Sequence, residues 1–453
     1  MSKVFNLNLM QVIILSIFAL LIFILNIPGT IALRNILAAS LLMILITYWA
    51  RAKISIKPIL SNKFFRGNLV LLLVITIYIF IHSIFIADEV SWSLSQFRTQ
   101  WVYPMIYFMM GISLASMASI DKSFKVETLI TLLFLSLFIH IIFIDVVVIY
   151  SYFDTSTLLS RYGGLTKSAV LSTYISNILI SMIIVEFLWR LKKKKRMLQI
   201  GSFWLIFFLF LCLFSSIISG LRFGAISLFF MSLTAIILIV IDNENFNNKA
   251  KGLVSISLLI LCTLPLIYNA KNDARWHSLL ETIPIAIDTE NISYWRDGIN
   301  RPILSNGSPV GQSNYMRIAW ATKGLEYIKN DIFGIGFGRN VFGHAIQKYE
   351  KDFESVRGMH SHSGIIDFTI GVGIIGLVIW LFFVGRIVIS SALVFVNSGH
   401  YFSLMSLFIT SGFFMRSIVD SNMRDHMFKQ FFLILGIALT LAAFENKKKV
   451  NDS

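Results

Sequence analysis

Two histidines and a few widely spaced arginines stand out in an otherwise very apolar chain. His360 and His362 close its longest polar stretch, in Gly358-Met359-His360-Ser361-His362-Ser363-Gly364. An unperturbed histidine titrates near pH 6.5 and accepts a proton at neutral pH, so His362 is the candidate general base, with His360 as neighbour or substitute. Arg222, Arg317 and Arg416 are the candidate anion-binding groups, and Asp420 follows Arg416 by one helical turn. Guanidinium stays charged and binds phosphate bidentately. Taken singly, each arginine reads as an interfacial anchor, or as an ion pair for Arg416 and Asp420 at i,i+4. Three arginines beside a histidine fit an anionic ligand better, and a diphosphate lipid headgroup lies at that depth. Two histidines at i,i+2 do not share a helical face, and no cysteine or paired carboxylate completes a ligand set, so no metal is expected.

The elements that must position these residues are membrane spans. The chain has 453 residues, is 56% hydrophobic and only 14% charged, with a mean hydropathy of +0.76. That composition excludes a soluble globular domain. A helical span needs about 20 mostly apolar residues. About twelve such runs are legible, near 10–27, 31–50, 68–87, 101–118, 127–150, 169–189, 198–219, 223–241, 252–269, 363–385, 400–415 and 427–444. The expected fold is an all-α polytopic membrane protein. Residues 1–269 carry the first nine spans, 270–361 form one large loop, and 362–453 carry the last three. The segment 386–400 fits either neighbouring span. The first run lacks a small-residue cleavage site and reads as a span, not a signal peptide. Both cysteines, Cys212 and Cys262, lie in apolar runs, so neither a disulfide framework nor a cysteine metal site is expected.

The net charge of +15 is concentrated at Arg51–Arg66, at Arg190–Arg196 and at Lys447–Lys449. These clusters hug span ends on one face, which the positive-inside rule makes cytoplasmic. Anionic lipid explains them better than nucleic acid. The large loop then faces outward, and so do Arg222, Arg317, His362, Arg416 and Asp420. Arg98, Arg161 and Lys167 also face outward and could guide an anionic substrate toward the site, but they read first as ordinary solvated loop residues.

Several other features are weaker. Asp145 lies within an apolar run, where an ionisable side chain is a functional suspect by default, but it is near the outward end of its span, so reaching the interface explains it as well; Glu186 is its inward counterpart. Gly334-Ile335-Gly336-Phe337-Gly338 lacks the context of a dinucleotide site and reads as a turn allowing close backbone approach. Gly371, Gly373 and Gly376 suit close helix packing. Apolar residues at 318, 321, 325 and 328 predict a short amphipathic helix on the membrane with Arg317 at its start. The stretch 299–313 reads as flexible loop.

With these motifs in place, the chain resembles the bacterial O-antigen ligase superfamily, which also holds O-antigen polymerases and protein O-oligosaccharyltransferases. The resemblance covers the span count, the large late loop and local motifs. The stretch from His362 to Leu377 is similar to the family's His-Asn helix start followed by Gly-x-x-Gly-Leu, with Ser363 in place of Asn. Asp331–Gly338 resembles Asn-Pro-x-x-Gly-x-Gly without the proline, and Leu221–Ala225 resembles a Ser-Arg-Gly-Ala turn. Arg416 and Asp420 resemble a basic and acidic pair in the last outward loop.

The resemblance implies a glycosyltransferase-C-like helical fold in the bacterial inner membrane with a periplasmic site. It implies an undecaprenyl-pyrophosphate-linked glycan donor, lipid A-core or another glycan or protein as acceptor, and metal-independent inverting transfer without a cofactor. In that scheme His362 removes the acceptor proton. Arg222, Arg317 and Arg416 hold the diphosphate, and Asp420 and His360 support them. Ligase is the leading expectation, then polymerase, then protein O-oligosaccharyltransferase. A transporter is a rival of another class, but no internal repeat or midplane charge cluster marks one.

Overall fold

A computed structural model describes residues 2–121, 124–219, 222–241, 252, 255–260, 263, 267, 271, 278–350 and 359–451. Its first helices are α1 (Ser2–Ile24), α2 (Ile31–Ala52), α3 (Lys57–Leu60), α4 (Lys63–Phe85) and α5 (Val90–Gln96). A π-helical turn, Phe97–Val102, joins α5 to α6 (Tyr103–Ile120). Next come α7 (Val126–Thr155), α8 (Ala169–Lys193), α9 (Ser202–Ile218) and α10 (Arg222–Ile241). Among the described residues, four helices occupy the polar stretch: α11 (Leu279–Ile287), α12 (Tyr294–Asp297), α13 (Gln312–Asn330) and α14 (Val341–Tyr349). The chain ends with α15 (Gly364–Ser398), α16 (Tyr401–Val419) and α17 (Asp425–Asn451).

Among the described residues, eight helices are long and apolar enough to cross a membrane, and three shorter apolar ones accompany them. Eleven of the expected runs coincide with helices, while most of the run 252–269, with Cys262, lies outside the described residues. The segment 386–400 is settled: α15 runs on to Ser398, where Gly399 in the left-handed region ends it. The chain is a multi-pass membrane protein.

Packing is tightest where α6 meets α17. A Cβ on Gly111 would collide with the Leu433 carbonyl, and one on Gly436 with the Phe108 carbonyl. Small residues thus let the two backbones touch, which in lipid supplies the dispersion that holds helices together. Trp101, within the π turn, stands at the centre of an aromatic cluster with Phe337, Phe368, Trp380, Phe428 and Phe432. Its indole N–H donates to Thr76 Oγ1 at 2.9 Å.

The glycines in α15 do different work from that expected. Gly373 has φ 72° and ψ 179°, a conformation open to glycine alone, and breaks the helix. The freed backbone groups pair with the Gly-rich loop before α14. Ile335 N–H donates to Ile370 O and Gly336 N–H to Gly371 O, both at 3.0 Å, and Ile374 N–H donates to Ile332 O at 2.9 Å. His82 bonds the Phe333 carbonyl at 2.7 Å. Non-helical backbone is tolerated inside a membrane bundle only when protein satisfies it this way.

The polar stretch folds into a lobe with its own core, including Trp295, Tyr315, Tyr327, Phe342 and Ile346, seated on Ile370 of α15. Two expectations change here. Helix α13 starts at Gln312, so Arg317 lies more than a turn inside it, and its buried stripe is Tyr315, Ala319, Lys323 and Tyr327. Leu325, expected on the apolar face, is exposed. Lobe packing, not a membrane surface, selects that stripe. Lys323 is buried between Glu326 and Glu350, 2.9 Å from each. Residues 299–313 form a tight turn with Leu304 N–H donating to Ser308 O and Val310 N–H to Pro302 O.

Candidate functional site

The link into α15 brings the two histidines onto the end of α16. Ser363 caps α15, its hydroxyl accepting from Ile366 N–H at 3.3 Å. An N-cap of this kind is worth about 1 kcal/mol. Ser363 therefore does the capping work at the position where the resemblance expects asparagine. Gly364 N–H donates to Asp420 O at 3.0 Å, joining the start of α15 to the end of α16. His362 adopts a left-handed backbone, φ 59°, a region in which histidine is enriched.

The His362 ring lies parallel to Trp320, with centroids 5.2 Å apart, and meets the His360 ring edge-on at 4.4 Å. Trp320 is fixed in turn by its N–H bond to Trp295 O. Burial, assisted by the field of Arg317, lowers the His362 pKa to about 4. Burial and Arg424 lower His360 to about 3. Both rings are neutral at pH 7 and able to accept a proton.

A hydrogen-bonded chain runs behind His360. Its Nδ1 lies 3.2 Å from Ser421 Oγ, which donates to Asp367 Oδ2 at 2.7 Å. The other Asp367 oxygen accepts Ser361 N–H at 2.9 Å. Asp367 stands on the first turn of α15, so the helix that begins beside His362 also orients His360.

Arg317 reaches from α13 to the last turn of α16, donating to Val419 O at 2.9 Å. Arg416 is fully buried. Its Nε is 2.8 Å from Asp420 Oδ2, its Nη2 donates to Val170 O, and its guanidinium sits over the Tyr174 ring. The i,i+4 ion pair is therefore real. Asp420 raises the proton affinity of His362 while the nearby arginines lower it. Arg222 opens α10, and its side chain lies outside the described residues.

Sequence reasoning missed Arg339 and Arg424. A narrow cleft, open to solvent, is lined by both, with Gln100, Asn340, Asp367 and Ser421 among its other walls. Arg424 donates to Asn340 Oδ1 at 3.3 Å, and burial pushes its pKa down. Arg339 lies 3.3 Å from Asp425, which Gln100 of the π turn grips through both its carboxylate and its backbone N–H. The signal for Arg339 was present: it directly follows the Gly-rich loop, whose glycines admit the backbone close to α15. Two helix N-termini, those of α15 and α17, adjoin the same cleft and favour an anion there. Among the described residues, no three histidine, cysteine or acidic side chains cluster as metal ligands would.

Elsewhere, Asp145 is buried at 2% exposure and does not reach the interface; among the described residues its carboxylate has no hydrogen-bond partner. Glu186 pairs with Arg190 at 2.6 Å and caps the Met197 and Leu198 N–H groups, a structural role. Arg98, Arg161 and Lys167 are exposed.

No curated protein matches the chain. Residues 207–381, however, match the family model described as O-antigen ligase. That span runs from α9 through the lobe into α15 and takes in Arg222, Arg317, Arg339, His360 and His362. Its extent and the clustered site together support the O-antigen ligase superfamily of glycosyltransferase-like membrane enzymes as the family this chain resembles.

Proposed function

We propose that the chain transfers a glycan from undecaprenyl pyrophosphate to a hydroxyl of lipid A-core at the periplasmic face of the bacterial inner membrane. The observation that carries this reading is the gathering of two neutral histidines with Arg317, Arg424 and Asp420, joined through Ser421 and Asp367 to a cleft that Arg339 and Arg424 line. His362 takes the acceptor proton as the hydroxyl oxygen attacks the sugar C1 from the face opposite the diphosphate. The C1–O bond to the diphosphate breaks and its electron pair leaves with the phosphate, so the anomeric centre inverts. Arg317, Arg339 and Arg424 stabilise the charge that develops on the leaving group, and Arg222 joins them from α10. Arg416 acts through Asp420, holding that carboxylate where its field supports His362. His360, oriented by Ser421 and Asp367, sits against the edge of the His362 ring. Residues 270–361 form the periplasmic loop over the site. The energy stored in the glycosyl diphosphate drives transfer, so neither a metal nor a cofactor enters the scheme.

A base whose pKa is about 4 is weak, but the bound diphosphate corrects this. Its negative charge offsets Arg317 and Arg424, so proton affinity at His362 rises when the donor is in place. An O-antigen polymerase or a protein O-oligosaccharyltransferase would use the same donor site with a different acceptor. A single large polar stretch favours the ligase.

The test is the lipopolysaccharide of a deletion strain complemented with wild type or His362→Ala. Loss of long chains from lipid A-core in the deletion and in His362→Ala, with polymerised glycan still on its lipid carrier, identifies a ligase. A single repeat unit on the core identifies a polymerase. Unchanged lipopolysaccharide with loss of glycoprotein identifies the protein-glycosylating member. Full transfer by His362→Ala removes it as the base.

A further inference from the structure

A second cleft, roomier than the first and open to solvent, lies beside it. Its walls are Asp88, Glu89, Trp92, Ile335, His344 and Lys348. The Gly-rich loop separates the two, with Ile335 lining the second and Phe337 to Asn340 lining the first. Trp92 abuts Gly338, where a Cβ would strike its ring, and Gln96 one turn later accepts Arg339 N–H at 3.1 Å. A ligand leaving the basic cleft thus crosses one strip of backbone to reach the other.

The chemistry of the two clefts is opposite. Arginines line the first. In the second, Lys348 is neutralised by Asp88 at 2.8 Å and Asp331 at 2.9 Å, which leaves a net negative wall with Glu89. Such a wall repels phosphate and other anions. Trp92 is partly exposed and held 4.0 Å from the His344 ring, tilted by 30°. Among the described residues, neither the Glu89 carboxylate nor the Trp92 indole N–H has a hydrogen bond. An aromatic face beside the free Glu89 carboxylate suits a pyranose ring. A sugar's C–H face, slightly positive, fits an electron-rich ring, and its hydroxyls can donate to that carboxylate.

We propose that this second cleft is a glycan subsite that takes neutral or amino-sugar pyranose units of the donor while the basic cleft holds the diphosphate. The proposal deepens the transfer reading and rests on it for the identity of the donor. Binding is measured apart from transfer. The probe is the soluble oligosaccharide released by mild acid from the cells' own lipid-linked glycan, added to the purified full chain in detergent and followed by saturation-transfer NMR. Wild type gives sugar signals. Trp92→Ala and Glu89→Gln weaken them at least fivefold, and Trp92→Phe keeps most of the effect. Glu89 is exposed and its substitution isosteric, so that variant reports on binding even if Trp92→Ala fails to fold. His362→Ala retains the signals although it loses transfer. Absence of signal in wild type, or undiminished signal in Glu89→Gln, overturns the subsite and leaves the transfer reading standing. Sugar signals that depend on Glu89 in a protein that transfers no glycan uphold the subsite and overturn the transfer reading.

Discussion

His362 is neutral because burial and Arg317 make its protonated form costly, and that sets the pH behaviour of the site. In the free enzyme the acid limb of kcat/KM should fall near pH 4, well below the usual histidine range. The limb of kcat, which reports the substrate complex, should lie higher because the diphosphate offsets the arginines. Arg317→Gln removes one of the charges holding His362 down, so it should move the kcat/KM limb upward while raising KM. A limb that stays put would mean His362 does not carry the titration. The stability contribution has the same origin. A depressed folded pKa means that the unfolded chain binds the proton first, so stability is full above about pH 6.5 and is lost as pH falls toward 4. His360, His362, Arg317 and Asp420 were legible in the sequence because rare polar types recur at the ends of apolar runs. Arg424 was not, since Met423-Arg424-Asp425 looks like an ordinary charged helix start. The Asp367–Ser421–His360 chain joins residues with no pattern between them, and only the fold reveals it.

Broken and bulged helices deliver these side chains. The break at Gly373 opens α15 to the Gly-rich loop, and that loop presents Arg339 and Asn340 to the cleft. Gly373→Ala should therefore cost about 1–3 kcal/mol in backbone strain alone, with more from collision with the Phe333 carbonyl. Thermal unfolding in detergent should show a clear drop and transfer should fall with it. Gly385→Ala, in the same helix with open space around it, should be neutral or slightly stabilising. Equal effects at the two positions would refute the interlock. The glycines themselves were visible in the sequence, but their purpose was misread. Small residues at short spacing look alike whether they pack helices or break one, and the partner loop lies more than thirty residues upstream. For α13 the apolar period predicted the helix but not its buried face. Lys323 lies on that face, and a lysine reads as solvent-facing until Glu326 and Glu350 are seen around it. Removing the lysine breaks its charged hydrogen bonds to two partly exposed carboxylates, which costs about 1.5–3 kcal/mol. Lys323→Met should thus loosen the lobe, read as faster proteolysis within 278–350.

At the scale of the whole molecule, the site gathers at one end of the bundle and the basic clusters lie at span ends expected on the other face. His360, Arg317, Arg424 and the lobe meet there. Lys192, by contrast, packs on the Phe395 carbonyl at the far end of α15. The positive-inside rule predicts that these basic clusters face the anionic cytoplasmic leaflet, which would turn the site outward. The consequence is a labelling pattern. In a background with Cys212 and Cys262 replaced by alanine, Asn306→Cys in the exposed turn of the lobe should react with a membrane-impermeant maleimide in intact spheroplasts. Lys195→Cys in the basic link between α8 and α9 should react only after the membrane is opened. Reaction of Lys195→Cys in sealed spheroplasts, with Asn306→Cys protected, would invert the chain and put the cleft on the cytoplasmic side. There it would meet a lipid-linked glycan before export, and a lipid A-core acceptor on the opposite face could not reach it. The orientation therefore tests the acceptor as well as the fold, because only an outward-facing cleft can join the two lipid-borne substrates.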